Sequence, residues 1–342
     1  MKAVVLYEHG DRDVLKYEEI PTPKPSPKQV LVKVKACALN HLDVWVRRGI
    51  PGLKLKYPHI LGADISGEIA DLGDGVEGLR IGEKVLVSPG VSCGRCRMCL
   101  SGMDNLCRDY HILGEGVNGG YAEYVVVPEE NILPFPEGLS FESASAIPLV
   151  FLTAWHMIVK KAKLKAGESV FITAAGSGVS TAAIQIAKAM GAFVIAGASS
   201  DEKLSRAKEL GADEVINYSK EDFAKRIKEI TKVGVDLILD HTGVINWEKK
   251  MASLRWGGRI VLCGATSGFN AEIDLRHVFF KQLSIIGSTM GSKGDLFEAL
   301  ELVRRGILKP VVYKVLPLKD AKEGHRILEE REVIGKVVLK VE

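Results

Sequence analysis

The sequence predicts an α/β protein with two domains, one rich in β-strands and one built on a doubly wound parallel sheet with helices on both faces. Three observations support this prediction. The 342 residues exceed the roughly 250–300 that one hydrophobic core usually accommodates. Short β-type runs broken by Gly and Pro fill the chain up to about residue 127. From about residue 142, strand-like and helix-like runs alternate, as they do in parallel sheets.

The first part of the chain predicts a compact, irregular β domain. Its β-type runs cover residues 3–6, 30–36, 66–72, 84–87 and 121–127. Proline stands at every second position from Pro21 to Pro27, which forbids a helix and predicts an extended connector between the first strands.

The second part predicts the parallel sheet through its alternating runs. Strands are expected at 169–174, 193–198, 214–216, 236–239, 259–262 and 285–287, and helices at 181–190, 202–210, 221–231 and 247–254. The tail predicts helix 296–305, strand 311–316, helix 321–330 and strand 337–341. We expect this tail to rejoin the first domain.

Composition and charge exclude several classes of function. The 46 basic and 43 acidic side chains give a net charge of +3 and are interspersed, so nucleic acid is not an expected partner. The longest apolar stretch, 144–159, is shorter than the roughly 20 residues of a membrane span and contains Pro148 and His156. The first residues are too charged for a secretory signal. We therefore expect a cytoplasmic protein without a membrane partner.

A glycine-containing turn joins a predicted strand to a predicted helix and indicates a dinucleotide site. Residues 173–179 read Thr-Ala-Ala-Gly-Ser-Gly-Val. Backbone N–H groups in such a turn approach a pyrophosphate closely, and the helix N-terminus adds partial positive charge. Only two of the usual three glycines are present, but the strand before and the helix after supply the context that the motif requires.

The residues after the second strand of this sheet favour NADP(H). An acidic residue there would accept hydrogen bonds from the ribose 2′-hydroxyl, but the strand ends at Ala198. Ser199 and Ser200 can instead donate to a 2′-phosphate, and Lys203 adds positive charge. In the alternative interpretation Ser199 and Glu202 form a helix capping box, which needs no phosphate. NAD(H) therefore stays open.

Four of the six cysteines fall within fifteen residues, which predicts a metal site. They are Cys93, Cys96, Cys99 and Cys107. A closed shell of four sulfurs suits structural zinc, with no open position for chemistry. An iron–sulfur cluster and disulfides are the alternatives, and neither matches the spacing and the low cysteine content as well. We predict one structural zinc per chain, in a lobe of residues 90–110.

With these features and four short motifs, the chain resembles the medium-chain dehydrogenase/reductase superfamily, which contains the zinc alcohol dehydrogenases and the quinone oxidoreductases. The motifs are Asn40-His-Leu-Asp43, Leu61-Gly-Ala-Asp-Ile-Ser-Gly67, Gly119-Gly-Tyr-Ala-Glu-Tyr124 and Asp240-His-Thr-Gly243. The resemblance is to the quinone oxidoreductase branch, with a retained zinc lobe. It implies a GroES-like catalytic domain (residues 1–150 and 290–342), a Rossmann NADP(H)-binding domain (151–289), and a homodimer or homotetramer.

The resemblance also implies which residues contact the cofactor. Three groups carry over by motif: Gly176, Ser177, Gly178 and Val179 for the pyrophosphate; Ser199, Lys203 and Tyr218 for the phosphate-bearing ribose; Thr242, Gly264 and Ser288 for the nicotinamide end.

The chain departs from the zinc alcohol dehydrogenases at the catalytic metal. The three ligand positions match Asn40, Ala63 and Leu149, and the hydroxyl that relays the alcohol proton falls at Leu42. An open zinc site needs three protein ligands, so a catalytic zinc is not expected. Four nearby side chains carry a metal-binding atom but lack evident partner ligands: Cys37, Cys263, His41 and His59.

The loss of these ligands shapes the functional hypothesis. Without a metal to stabilise an alkoxide, a substrate with its own electron sink is favoured, so we expect NADPH-dependent hydride transfer to a quinone, enone or enal. Asn40 is the predicted donor to the developing enolate oxygen, and Asp43 and Asp64 orient neighbours or relay protons. One alternative is an NAD(P)-dependent zinc alcohol dehydrogenase with an unrecognised catalytic zinc. Another is a dinucleotide-binding sensor without turnover.

Overall fold

A computed structural model describes residues 1–342, which form two compact units. Strands β1 to β18 are, in order, Lys2–Leu6, Lys16–Glu19, Gln29–Ala38, His59–Ile60, Asp64–Leu72, Lys84–Val87, Gly90–Val91, His111–Ile112, Tyr124–Pro128, Ile132–Pro134, Ser169–Ile172, Phe193–Ala198, Glu214–Asn217, Val235–Asp240, Leu254–Leu262, Ser284–Gly287, Val312–Pro317 and Lys336–Lys340. Helices α1 to α11 are His41–Arg48, Arg97–Leu100, Phe141–Ser145, Pro148–Trp155, Gly178–Ala189, Asp201–Glu209, Phe223–Thr231, Trp247–Ser253, Leu275–Phe280, Lys293–Arg304 and Ala321–Glu329.

The first unit comprises Met1–Leu149, Ser292–Leu300 and Pro310–Glu342. Its larger sheet has the order β10-β6-β5-β3-β18-β17, with β9 also paired to β3, and a smaller sheet has the order β2-β1-β4. Alternation along β3 buries Val30, Val32 and Val34 in the core. The last strand, β18, pairs antiparallel with β3, so the C-terminal tail completes a sheet that the N-terminal strands begin.

The second unit comprises Val150–Gly291 and Glu301–Lys309. Its six strands are all parallel and follow the order β13-β12-β11-β14-β15-β16. The core contains Phe171, Ile195, Ile238 and Ile260, which are buried because these strands are covered on both faces. The predicted α/β fold class is confirmed. Strand order reverses between β11 and β14, which is where sheets of this kind bind ligands.

Nineteen of the strands and helices correspond to sequence predictions and ten do not, namely β2, β4, β7, β8, β10, α1, α2, α3, α4 and α9. Strands β6 and β12 have the predicted bounds, whereas the short helices α1 and α9 were not predicted. One helical stretch, Phe141–Lys161, is long and apolar enough for a membrane span by length and composition. Because 78% of its most apolar window is buried inside the protein, it has the burial of a core helix.

Candidate active site and zinc lobe

In the second unit, the predicted cofactor residues all follow the carboxyl ends of the parallel strands. The turn with Gly176 and Ser177 follows β11, Ser199 follows β12, and Tyr218 follows β13. Thr242, Gly264 and Ser288 come shortly after β14, β15 and β16. Because parallel strands end at the same edge of a sheet, one edge brings together residues that are more than one hundred positions apart in the sequence.

The glycine turn leads directly into helix α5. Ser177 is the N-cap residue, and its Oγ accepts a hydrogen bond from the Ser180 backbone N–H at 3.1 Å. Gly178 and Val179 open the helix, so their N–H groups have no acceptor within it. A Cβ on Gly176 would lie 2.8 Å from Cδ of Lys203, so glycine at this position allows the Lys203 side chain to lie against the turn.

The start of helix α6 differs from the predicted capping box. The N-cap is Ser200, whose Oγ accepts from the Lys203 backbone N–H at 3.5 Å, so the expected pairing of Ser199 with Glu202 is wrong. Ser199 is exposed and lies one residue before the cap. The Asp201 carboxylate is held by Asn217 at 2.7 Å and by Lys220, and these contacts hold its pKa below its usual value.

A buried ion pair lies behind the residues that follow β14. Lys250 Nζ is 2.9 Å from Asp240 Oδ1 and also donates to Thr242 Oγ1 at 2.9 Å. Asp240 accepts further hydrogen bonds from Thr173 Oγ1 at 2.9 Å and from the Gly243 backbone at 3.1 Å. Burial acts to raise the pKa of Asp240, but Lys250 and a hydrogen bond from Thr242 Oγ1 outweigh burial, and the pKa lies below its usual value. The pair fixes the conformation of the loop that begins at residue 241.

The residues at this edge fit a nicotinamide dinucleotide. Ser288 is buried, and its Oγ has no hydrogen-bond partner. A buried hydroxyl without a partner costs free energy unless a ligand or water satisfies it. Together with the N–H groups at the start of α5, the edge offers hydrogen-bond donors at two of the three predicted contact regions, the pyrophosphate and the nicotinamide end.

The four cysteines of the lobe lie in the geometry of a tetrahedral metal site. The lobe lies within the first unit between β7 and β8, and these two strands pair at its base. The four Sγ atoms lie within 4.8 Å of one another, with 3.5 Å between Cys96 and Cys99. Zinc–sulfur bonds of about 2.3 Å imply sulfur separations of about 3.8 Å. Hydrogen bonds from backbone N–H groups, that of Arg95 first, lower the pKa of Cys93 to about 7, which favours the thiolate that binds metal.

In the first unit, the segments that match the catalytic zinc ligands converge on the Asp64 carboxylate. Asn40 Nδ2 donates to Asp64 Oδ2 at 2.9 Å, and the backbone N–H of Leu149, in the first turn of α4, donates to Oδ1 at 2.6 Å. Lys336 Nζ lies 2.8 Å from Asp64 Oδ2 and 2.5 Å from Asn40 Oδ1. Asp64 is 0% exposed and Lys336 is 3% exposed. The oxygen atoms of Asp64 and Asn40 that could bind a metal cation are therefore already occupied by the Lys336 ammonium group.

Asp43 supports the same segments from within a second buried network. Its carboxylate accepts from the Asn40 backbone at 2.7 Å, the Gly62 backbone at 3.1 Å and the Tyr121 hydroxyl at 3.1 Å. Gly62 has φ +102°, and a Cβ there would lie 2.5 Å from the Tyr121 ring, so only glycine fits. Burial raises the pKa of Asp43 to about 6.

The network continues beyond Tyr121 to the edge of the unit. The Tyr121 hydroxyl is 3.5 Å from Nε2 of His325, whose Nδ1 is 3.2 Å from Arg47. Arg47 is fully buried and pairs with Glu329 at 2.6 Å. Burial, with Arg47 adding to it, lowers the pKa of His325 to about 3. His325 is therefore neutral at physiological pH.

The other metal-binding atoms considered from the sequence do not form a ligand set. His59 is buried and its Nε2 lies 3.1 Å from the Gly114 carbonyl, which can only accept. His41 packs edge-on against Trp45 with 5.2 Å between ring centroids. Burial raises the pKa of the Cys37 thiol well above its usual value, and that of Cys263 to about 12. The residues in this region therefore do not fit a catalytic zinc.

Comparison with known proteins shows which family the chain belongs to. Residues 26–137 match the alcohol dehydrogenase GroES-like domain, and residues 178–305 match the zinc-binding dehydrogenase domain. An acryloyl-coenzyme A reductase of Sulfurisphaera tokodaii is 31% identical, over 99% of this chain and all of that protein. A human quinone oxidoreductase is also 31% identical, over 99% of this chain and 97% of that protein. The chain belongs to the medium-chain dehydrogenase/reductase superfamily.

A solved structure shows the same arrangement along the whole chain. A crystal structure described as an NAD-dependent alcohol dehydrogenase superposes with a TM-score of 0.97 and is 55% identical, with 100% of both chains covered. This medium-chain dehydrogenase/reductase is thus an oxidoreductase that uses a nicotinamide cofactor, and its relatives include acryloyl-coenzyme A reductases, quinone oxidoreductases and alcohol dehydrogenases.

Sequence reasoning missed two residues at these sites. Lys336 precedes the predicted strand 337–341 and has no predicted role, although a single charge inside the apolar run 334–339 is a signal of a buried partner. His241 was considered only as part of a motif, although it directly follows a buried strand end. Their partners lie 61 to 296 residues away along the chain, so only the folded structure brings them together.

Proposed function

We propose that this enzyme catalyses NADPH-dependent reduction of a conjugated carbonyl compound, a quinone, enone or enal, without a catalytic zinc. In this proposal the second unit binds the cofactor and the first unit binds the carbonyl substrate. The convergence of Asn40, Lys336 and the Leu149 N–H on Asp64 carries the proposal. These contacts occupy the polar atoms of the segments that match the catalytic zinc ligands, so no ligands are left for a metal that would stabilise an alkoxide.

The proposed chemistry needs a hydrogen-bond donor more than a Lewis acid. The bound cofactor supplies a hydride, which forms a bond to the electrophilic carbon while the C=C electron pair moves to give an enolate. The enolate then takes one proton from solvent. The Asn40 amide has two N–H bonds and uses one for Asp64, and we assign the other to the enolate oxygen. Loss of one such donor reduces kcat by roughly 10²–10³-fold in comparable sites.

The proposed roles of the two acids follow from their contacts. Asp64 accepts from Asn40, Lys336 and Leu149, so we assign it to orienting the Asn40 amide. Asp43 accepts from the Asn40 backbone and holds the same residue from the other side. Neither acid is proposed to exchange a proton with the substrate.

The direct test is NADPH oxidation against a panel of enones, enals, quinones and an acryloyl thioester. We expect turnover with at least one acceptor class, and a kcat about 100-fold lower for Asn40→Ala. Asn131→Ala is the matched control, because it removes another buried amide of the first unit, one that donates to the Ser88 and Gly90 carbonyls. Failure to consume NADPH with every acceptor, with good oxidation of primary alcohols, would overturn the proposal. NADPH binding without any turnover would favour a sensor.

We propose NADP(H) as the preferred cofactor on the contacts after β12. No acidic side chain ends that strand, Ser199 is not used as the helix cap, and Lys203 lies against the glycine turn. Lys203→Met should weaken NADPH binding while leaving NADH binding nearly unchanged, because only NADPH carries the 2′-phosphate. Equal losses for both cofactors would contradict this assignment.

One structural zinc in the cysteine lobe is the metal we propose. Cys93, Cys96, Cys99 and Cys107 would hold it, and a four-sulfur shell supplies stability and no reactive position. Four reduced thiols also agree with the cytoplasm as the proposed compartment.

A second candidate is an NAD-dependent alcohol dehydrogenase. The 55% identity to a structure described by that activity favours it. It predicts oxidation of primary or secondary alcohols with NAD⁺ by the same preparation that is tested with NADPH and enones.

We propose that the enzyme is a homodimer or homotetramer that uses the free edge of β16. This edge strand exposes Ile285, and α9 nearby exposes Leu275, Phe279 and Phe280. Strand edges and apolar clusters of this kind pair across two-fold axes. Ile285→Lys should give monomers by light scattering, with Ile81→Lys, another exposed isoleucine, as the matched control. A dimeric Ile285→Lys protein would contradict the use of this edge.

A further inference from the structure

We propose that His241 is a positioning residue that directs the Ser177 hydroxyl as a hydrogen-bond donor toward the pyrophosphate of the cofactor. This inference rests on the dinucleotide site of the proposed function and does not depend on which substrate is reduced. His241 follows β14 and Ser177 follows β11, so the two residues flank the point where strand order reverses.

A count of hydrogens fixes the roles in this contact. His241 Nε2 lies 2.8 Å from Ser177 Oγ and 2.9 Å from Ser180 Oγ. The Thr173 carbonyl lies 2.7 Å from Ser180 Oγ and can only accept, so we assign the single Ser180 hydroxyl hydrogen to it. In this assignment Ser180 Oγ accepts from His241, and Nε2 carries the proton. The same N–H reaches both serine oxygens as a three-centre hydrogen bond.

This proton position leaves the Ser177 hydroxyl hydrogen without an acceptor among these contacts. Its Oγ accepts from the Ser180 backbone N–H at 3.1 Å and from His241, so both lone-pair directions are occupied. The hydroxyl hydrogen cannot be donated to His241, because Nε2 already carries a proton. It is left for an acceptor outside these contacts, and Ser177 is the N-cap of a twelve-residue helix whose first N–H groups also need acceptors. A pyrophosphate oxygen offers the negative acceptor that such a helix terminus favours.

The residues around His241 keep its imidazole neutral and leave its Nε2 free to contact the two serines. Asp240 precedes His241 in sequence, but its carboxylate is engaged by Lys250 and by Thr173. Burial lowers the pKa of His241 below its usual value, so the ring is neutral near pH 7 and carries a single N–H. Gly264, in the loop after β15, also packs closely against His241: a Cβ added to Gly264 would lie 3.4 Å from the Cβ of His241.

Direct cofactor binding tests this role without any substrate. Calorimetric titration with NADPH and with NADH should show a Kd at least about tenfold higher for His241→Leu with both cofactors, because the charge-assisted hydrogen bond from Ser177 to the pyrophosphate loses its orientation. In His241→Gln the side-chain amide places an N–H near the position of Nε2 and keeps the hydrogen bond. The Kd of this variant should therefore stay within about threefold of the wild-type Kd. Ser177→Ala should raise Kd to a similar extent as His241→Leu.

The double variant separates positioning from general packing. If His241 acts through Ser177, the His241→Leu change should add almost nothing in a Ser177→Ala background. Multiplicative losses in the double variant, or an unchanged Kd in His241→Leu, would overturn the proposal. Nitrogen NMR of the wild type supplies a measurement independent of variant folding: Nε2 of His241 should carry the proton, and the opposite tautomer would refute the assignment. Normal binding with no carbonyl reduction would instead overturn only the proposed reaction.

Discussion

Replacing Lys336 with Met should destabilise the first unit by about 3 kcal/mol. Removing one partner of a buried ion pair costs about 3–5 kcal/mol, because the other charge is left unpaired. Asp64 is 0% exposed, but it keeps two hydrogen bonds, from Leu149 at 2.6 Å and Asn40 at 2.9 Å. These remaining bonds place the loss near the lower end of that range. Methionine preserves the length of the lysine stem and limits the loss of packing.

The double variant isolates the charge effect. Asp64→Asn in the Lys336→Met background removes the unpaired carboxylate, so the double variant should be about 2 kcal/mol more stable than the sum of the single changes predicts. Urea-dependent hydrogen exchange of the β5 amides reports the unfolding free energy of this unit alone, which a two-unit chain requires. Additive single losses, or a loss below about 1 kcal/mol in Lys336→Met, would refute the assignment of a buried charge pair.

Two further predictions concern the lobe and the buried histidine. Cys107→Ser should reduce the zinc content measured by elemental analysis to well below one ion per chain, while the amides of the parallel sheet keep their exchange protection; unchanged zinc would exclude this ligand set. His325 has a pKa of about 3 in the folded protein against about 6.5 unfolded, so the stability that it contributes is present above pH 6.5 and is lost as the pH falls toward 3, by about 3–5 kcal/mol. Asp43, with its pKa raised to about 6, opposes this because its protonation favours the folded state between about pH 4 and 6. Carboxyl groups whose pKa is lowered, such as those of Glu329 and Asp240, add a loss of stability at acid pH that both proteins share. Between about pH 6 and 4, His325→Gln should therefore lose about 2–3 kcal/mol less stability than the wild type, and equal losses would contradict the assignment.

The sequence predicted the parallel sheet well because most of its strands are local apolar runs, whereas β15 begins five residues before its predicted start at a segment with Arg and two glycines. Strand 193–198, for example, is bounded by Gly191 and by the polar residues from Ser199 onward, and both limits are visible in the sequence. Helix α1 was missed because its eight residues mix charged and β-branched side chains, and long-range contacts such as that of Arg47 with Glu329 stabilise it. Local propensity carries no information on such contacts.

The candidate site likewise has parts that the sequence predicts from local spacing and parts that depend on long-range contacts. The cysteine lobe and the glycine turn were predicted because their chemistry depends on spacing within fifteen residues. The Asn40–Asp64–Lys336 cluster was not predicted, because it depends on the register of β18 against β3, which pairs Val338 with Ala38. No periodicity within either strand specifies that register. Two indications of the cluster are visible in the sequence: the zinc ligands are absent, and Lys336 is a single charge inside the apolar run 334–339.

The most direct test of the central claim is to measure zinc content and enone reduction on the same purified sample. Elemental analysis after removal of loosely bound metal should give one zinc ion per chain in a preparation that oxidises NADPH with an enone or quinone. Two zinc ions per chain, with activity toward alcohols and none toward conjugated carbonyls, would contradict the account.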